Sequence, residues 1–529
     1  MGGAASVRIK EVDLSTRVAS FEGVYGAIVI PATKGQSDRP FFVSSDTQLL
    51  NTATPDGTVA VGYDLSYFSA LAYLERANKL WVQRVINGAF YAGLLVKETA
   101  SLDPNIGITA GSDVSDPTAF VLGAEDALFI YSANEGTWGN DIGIKITTID
   151  DDEDLIEPNS FLIEVFKFAN QVTPVESFLV SRVLGQKDGR GLNMYVEDVL
   201  EGSEYIRAIS NPTIAETVLP KTQAAYLAMT DGDDGLAITD TNMIAAANNF
   251  ANKAEVSVTI LMDGGYAVPA YQIALDTIAQ SRQDCVAILS VPYADEAGST
   301  YMVDIVDYRK TDLNLNSSYS ALYTPHLQIQ DRFNDRSIWI APDGHVAGSI
   351  SFASNTFEIW FPAAGFKRGV LNVLDTKRRF SDGELDELYN KGINPIRFIP
   401  GKGIVVWGQK TLLARASALD RLNVRLLLIV IEPAIKELLE NFLFDLNDAS
   451  VRSIIETKIE SYLQTIQARK GIQDFDVVAD DTNNSDADID ANRLNVDIFI
   501  KPTRSIEEIP VRVVITPSNI SFSDAAGAI

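Results

Sequence analysis

Val256–Pro292 reads VSVTILMDGGYAVPAYQIALDTIAQSRQDCVAILSVP. VSVTILM (Val256–Met262) and DCVAILSVP (Asp284–Pro292) are nearly continuous apolar runs, the pattern of strands buried on both faces. The segment between them is helical, with Pro269 in the first turn, where a missing N–H is tolerated. Strand, helix, strand of this kind predicts a largely parallel sheet with helices on its faces. The same signal occurs near the start. Ala27–Ile30 is a short apolar run between Gly26 and Pro31. Asp64 is a fair N-cap for DLSYFSALAYLERANK, with Leu65, Phe68, Leu71 and Ala72 at helical spacing. KLWVQRVI (Lys79–Ile86) follows as a strand. A discontinuous α/β core is expected from residues 21–98 and 236–375.

What interrupts that core differs in character. Across residues 101–230 helical periodicity weakens, and short β-rich runs alternate with Gly, Asn, Asp and Pro. Ala127–Ile149, Phe161–Phe168 and Val175–Val183 read as strands, so residues 99–235 form a β-rich insertion. It is also acidic. Residues 101–230 hold seven basic and 21 acidic residues, half of the net charge of −28 carried by the 529-residue chain. The C-terminal part turns helical. Thr411–Asp445 is strongly apolar and helical, with Pro433 placed to start a second helix. In the next helix Val451, Ile454, Ile455, Ile459, Tyr462, Leu463 and Ile466 form one apolar stripe, and Gly471 ends it. Asp480–Asn492 is a polar loop, followed by two alternating strands, Asn495–Lys501 and Ile509–Thr516.

Composition narrows the function classes. One cysteine (Cys285) excludes a disulfide scaffold and a multi-Cys zinc site. Two histidines (His326, His345) leave little room for His-ligated metal. No metal and no cofactor is expected. The negative balance argues against nucleic acid as main partner. No run approaches 18 apolar residues, so no membrane insertion is expected. The opening MGGAASVRIKEVDL lacks the apolar core of a secretory leader.

The most tempting catalytic fragment is GHVAG, Gly344–Gly348, similar to the histidine motif of subtilisin-type proteases. That chemistry needs a serine whose proton the histidine accepts. No Gly-Thr-Ser follows His345, and no Gly-x-Ser-x-Gly elbow occurs anywhere. The simpler expectation is a tight helix start whose small residues allow close packing. DGDDG (Asp231–Gly235) and the loop after Asp480 lack EF-hand spacing and read as solvated acidic turns. No phosphate-binding glycine loop is present.

Five segments together resemble one family. GVYGAIVIPATKG (Gly23–Gly35), EGTWGNDIGIKI (Glu135–Ile146), NSSYSALYTPHLQI (Asn316–Ile329), APDGHVAGSI (Ala341–Ile350) and GINPIRFIPGKGIVVWGQKTL (Gly392–Leu412) occur in the order and spacing of contractile tail sheath proteins of bacteriophages. The resemblance implies a subtilisin-like, non-catalytic α/β sheath core and a β-rich outer domain made of the insertion. It also implies an α+β inner, tube-facing domain over residues 376–492, and strand-donating arms at 1–20 and 493–529. It implies a helical homopolymer of stacked rings, six subunits each, around a tail tube protein. Baseplate and neck or terminator proteins would be further partners, in a virion tail assembled in host cytoplasm. On the helix Ser450–Lys470, Arg452, Lys458, Arg469 and Lys470 would meet the tube. Val7, Ile9, Val496, Ile498, Ile500, Val511, Val513 and Ile515 would lie on strands added to neighbouring subunits, as the alternation of VRIKEV (Val7–Val12) suits. Hinges are expected near residues 15–22 and 480–492. The alternatives are the sheath of a tailocin or other bacterial contractile injection system and, from another class, a subtilase-like hydrolase.

Overall fold

The computed structural model describes residues 23–148, 157–167 and 173–510, in two compact units, Met1–Glu437 and Leu438–Ile529. The first unit opens with β1 (Gly26–Ile30), β2 (Phe41–Val43), α1 (Asp46–Ala53), α2 (Ser66–Leu74) and β3 (Leu80–Arg84). The inserted strands follow: β4 (Gly93–Lys97), β5 (Ile106–Gly107), β6 (Asp126–Ser132), β7 (Ile142–Thr148), β8 (Ser160–Lys167), β9 (Glu176–Ser181), then α3 (Val196–Leu200), β10 (Ile206–Ser210) and β11 (Leu227–Ala228). The α/β pattern resumes with α4 (Asp240–Asn248), β12 (Ile260–Met262), α5 (Pro269–Arg282), β13 (Val286–Ser290), α6 (Tyr293–Ala297), α7 (Tyr301–Asp307) and β14 (Ser320–Thr324). It continues through β15 (Leu327–Asp331), β16 (Arg336–Ile340), α8 (Asp343–Thr356), β17 (Val370–Leu371), β18 (Asp375–Thr376), α9 (Asp382–Asn390), β19 (Ile393–Ile399), β20 (Gly403–Val406) and α10 (Leu422–Glu440).

Nine strands form the main sheet in the order β17-β20-β19-β14-β13-β12-β1-β3-β2, with β19 through β3 all parallel. Every residue of β1, β13 and β14 is buried, which is why β1 and most of β13 read as apolar runs. Helix α5 begins at Pro269 and stops where Gln283 takes a left-handed conformation (φ 65°).

The insertion holds two four-stranded antiparallel sheets, β10-β6-β4-β5 and β11-β7-β8-β9, joined by buried Leu128, Ile130, Ile144, Ile163 and Val165. It is latched to the core by polar groups. The Arg84 guanidinium, 2% exposed, donates to the carbonyls of Ala32 (2.8 Å), Gly35 (2.8 Å) and Glu135 (2.9 Å) and pairs with the Glu135 carboxylate at 3.3 Å. Lys34 lies 5.2 Å from the Trp138 ring and 5.0 Å from Tyr205. Burial and neighbouring Lys167 pull its ammonium down to a pKa of about 8.

Three boundaries differ from the sequence reading. Strand β4 pairs with β6, so the insertion begins before residue 99. The main sheet continues past residue 375, because β19 runs parallel to β14 with Leu322 opposite Ile393. Pro433 does not start a second helix: it lies inside the single helix α10, and residues 411–421 are not α-helical.

The second unit contains α11 (Ala449–Ala468), β21 (Ile472–Val478), α12 (Asp486–Asp490) and β22 (Asp497–Pro502). β21 and β22 form a two-stranded antiparallel sheet.

Candidate functional site

GHVAG opens α8. A Cβ on Gly344 would sit 2.0 Å from the Ser69 carbonyl oxygen of α2, and one on Gly348 would sit 3.2 Å from that of Ala72. Two glycines four residues apart therefore let α8 lie directly on the α2 backbone. Asp343, fully buried, accepts hydrogen bonds from Ser69 Oγ (2.9 Å) and the Gly264 amide (2.8 Å), pinning α8 to α2 and to the loop after β12. His345 is buried, and its Nδ1 has no hydrogen-bond partner among the described residues. Burial, with a smaller push from Arg76, lowers its pKa to about 4, so the imidazole is neutral near pH 7. No carboxylate orients that ring, and no hydroxyl is hydrogen-bonded to it, among the described residues. Asp343, two residues away, is committed elsewhere.

The other histidine is also engaged. His326 Nδ1 lies 3.0 Å from Glu296 Oε2, and the Glu296 carboxylate also accepts from Thr324 Oγ1 and the His326 amide, both at 2.8 Å. Tyr293 packs edge-on against the His326 ring at 5.2 Å between centroids.

Sequence reasoning missed a third cluster. Asp263, directly after β12, accepts from Ser290 Oγ (2.6 Å), the Ser290 amide (2.7 Å) and Gln272 Nε2 (2.7 Å). Tyr308 donates to Gln272 Oε1 at 2.8 Å. Burial pushes the Asp263 carboxyl up, and burial together with Asp263 raises Asp343 to about 7. The carboxyl end of a parallel sheet is where α/β proteins place ligand groups. Asp-Gly-Gly at a strand end was the available signal. Here the position is filled by groups bonded to one another. Among the described residues no group of three or more His, Cys, Asp or Glu could hold a metal ion, and no helix is long and apolar enough to cross a membrane.

In the C-terminal unit Asp448 caps α11, accepting from the Val451 amide at 2.8 Å. The buried stripe is Arg452, Ile455, Ile459, Leu463 and Ile466, while Ile454 is 40% exposed. This corrects two expectations. Ile454 belongs to the outer face. Arg452, expected to point at a partner, lies on the inner face and donates to Asp481 (2.5 Å) and Asn447 (3.2 Å). Lys458 is half-buried, with its ammonium 5.4 Å from the Phe442 ring. Arg469 and Lys470 are exposed.

Ile498 and Ile500 lie on β22 and face Val477 and Phe475 of β21, so this strand pairs within its own chain rather than being donated. Val496 precedes it. Val7, Ile9, Val511, Val513 and Ile515 lie outside the described residues, as does the hinge expected at 15–22. The hinge expected at 480–492 is instead a bonded corner. Asn484 is 3% exposed and exchanges hydrogen bonds with the Asn495 backbone at 2.9 and 2.7 Å, and Ser485 caps α12 reciprocally with Asp488.

The geometry defines an α/β protein with an inserted pair of β-sheets and a separate helix-and-hairpin unit. Residues 228–412 match the phage tail sheath protein central domain and residues 415–516 the phage tail sheath C-terminal domain. The tail sheath protein of Vibrio phage KVP40 is 30% identical over 382 residues, 66% of this chain and 55% of that protein. The tail sheath protein of Enterobacteria phage T4 is 30% identical over 373 residues, 67% of this chain and 56% of that protein. The chain thus spans little more than half the length of these relatives. The helical sheath of the anti-feeding prophage in its contracted state shares the fold, with a TM-score of 0.53 at 13% identity, over 97% of this chain and 99% of that one. The chain belongs to the phage tail sheath family.

Proposed function

We propose that this chain is the repeating subunit of a contractile tail sheath, a helical polymer around a tail tube that shortens on a baseplate trigger and drives the tube through the host envelope. The carrying observation is the match to both sheath domains across residues 228–516, on a chain whose protease-like histidine has an imidazole Nδ1 without a hydrogen-bond partner among the described residues. In this reading the core is subtilisin-like and performs no hydrolysis. Six subunits form each ring, neck or terminator proteins close the far end, and the particle is assembled in host cytoplasm.

The tube-facing set is Lys458, Arg469 and Lys470 on α11, with Arg452 serving the unit's own fold. The hairpin of β21 and β22 is the acceptor for arms from neighbouring copies, Val7–Val12 at one end and the segment of Val511, Val513 and Ile515 at the other. A two-stranded sheet leaves backbone donors and acceptors for an added strand, which supplies affinity through main-chain hydrogen bonds.

Negative-stain electron microscopy of the purified chain, with and without tube protein, is the test. Cylinders of one fixed diameter are expected. Lone particles at every salt and concentration, with tubes present, would remove the proposal. A serine-reactive probe labelling the protein would instead favour the hydrolase reading.

A further inference from the structure

An open cleft of about 750 Å³ lies at the ends of α2 and α8, its walls including Arg76, Lys367, Arg368, Phe352 and Glu75. Three cations face one carboxyl, that of Glu75, whose pKa burial pushes up. Lys367 is exposed, and neither it nor Arg368 pairs with a carboxylate among the described residues. The Arg368 guanidinium lies 5.3 Å from both the Phe357 and Phe361 rings. Next to Lys367 in sequence, Phe366 lies 5.4 Å from the Lys402 ammonium and meets Trp407 at 5.6 Å. Phe352, Phe357, Phe366 and Trp407 are 37%, 44%, 48% and 38% exposed. Arginine stacked among half-exposed aromatic rings is the composition of a protein contact surface.

The charge of the chain says what covers it. Copies carrying a net charge of −28 repel one another, so any close-packed arrangement needs an oppositely charged face at the contact. The insertion supplies the complement. One described run of carboxylates in it is Glu197, Asp198, Glu201 and Glu204, four in eight residues with no cation between them in sequence, and Glu201 and Glu204 are exposed. A surface on one part of a chain that fits a different part of the next copy makes a head-to-tail contact, the kind that propagates into helical polymers. We infer that the cationic, aromatic cleft at the ends of α2 and α8 docks the acidic insertion of a second copy of this chain. The inference rests on the sheath reading for its context and on charge and exposure for its content.

Two full-length variants test it, Lys367→Glu/Arg368→Glu and Glu201→Lys/Glu204→Lys, each checked for an unchanged melting curve. Alone, each should need roughly tenfold more protein to associate than wild type at low salt, because like charges then face each other. Mixed in equal amounts they should associate again, since each variant's cleft meets the other's insertion with opposite sign. Sedimentation velocity reads association and electron microscopy reads cylinders, separately. Association restored only in the mixture but without cylinders would keep the contact and remove the sheath. Cylinders from Lys367→Glu/Arg368→Glu alone, or two folded variants that fail to associate when mixed, would overturn the contact.

Discussion

Gly344→Ala tests whether GHVAG is written for packing. The added methyl would lie 2.0 Å from the Ser69 carbonyl oxygen and 2.7 Å from its carbon, where ordinary contact begins near 3.4 Å. Backbone cannot rotate aside as a side-chain tip can, so α8 must move off α2 by more than 1 Å. Overpacking of this kind costs about 1–3 kcal/mol. The shift also stretches the Asp343 bonds to Ser69 Oγ and Gly264, and a hydrogen bond to a carboxylate contributes about 1.5–3 kcal/mol. Alanine's helix propensity returns at most about 1 kcal/mol. A net loss of about 3 kcal/mol is expected. Gly348→Ala is the internal control: its methyl would meet Ala72 and Tyr73 oxygens at 3.2 and 3.3 Å, a few tenths too close, and its propensity gain roughly offsets that, leaving a change within about 1 kcal/mol. All five tryptophans, Trp81, Trp138, Trp339, Trp360 and Trp407, lie in residues 1–437, so tryptophan fluorescence in a urea titration follows that unit alone. A Gly344→Ala midpoint at or above wild type, or two variants equally impaired, would refute the packing explanation.

Arg84→Met should destabilise the first unit by about 3–5 kcal/mol, because Glu135, 8% exposed, loses its cation; limited proteolysis should then cut within the insertion sooner, and an unchanged pattern would count against the latch. His345→Gln should change the pH dependence of stability. The folded imidazole titrates near pH 4 and the unfolded one near 6.5, so His345 withdraws stability as pH falls from about 6.5 to 4. Relative to wild type, the Gln variant should gain up to about 3 kcal/mol across that window. Asp343→Asn has the opposite sign: Asp343, raised to about 7, gives stability complete below about pH 4 and lost as pH rises through 7, so the variant should gain most at neutral pH. Parallel stability curves for wild type and His345→Gln would dismiss the buried neutral imidazole. In the C-terminal unit, Arg452→Ala should speed amide exchange in α11 while Lys470→Glu leaves exchange unchanged and weakens co-assembly with tubes; the reverse pattern would return Arg452 to the outer face.

The parts of the fold legible in the sequence were those set by local pattern. VSVTILM and DCVAILSVP announced buried strands, though only Ile260–Met262 of the first is strand and Ser257 is exposed, and Pro269 marked where α5 begins. Pairing over long separations was not legible. Nothing near Ile393 says that β19 continues a parallel sheet more than 70 residues after β14, since that register depends on packing that exists only in the folded chain. GLLVK (Gly93–Lys97) has the composition of a core strand and belongs to the insertion. On α11 the adjacent Ile454 and Ile455 allow two stripes about 100° apart. A cation is a poor guide between them, because Arg452 satisfies its charge at the buried seam through Asp481. Of the candidate site, the role of the GHVAG glycines could be read from their size; the Asp263 cluster could not, because its partners Gln272, Ser290 and Tyr308 come from three separated elements.

These buried polar groups bear on where contraction could draw its energy. Asp263, Asp343, Arg84 and Glu296 are each held by several hydrogen bonds. Rearranging a core tied this way is costly, because breaking one buried bond leaves its partner unsatisfied at about 1–3 kcal/mol or more. Such a unit moves as a block. The Asn484 corner argues the same for the second unit, where a bonded loop replaces the expected hinge. Work performed by a polymer of such blocks must come from surfaces that change partners. The surface has the means: in the second unit Phe444, Leu446, Leu443 and Phe499 are each at least 60% exposed. Burying one large apolar side chain contributes roughly 1.5–3 kcal/mol. In the proposed sheath, a few such side chains newly buried in each copy and repeated along a cylinder would be a source of free energy for contraction.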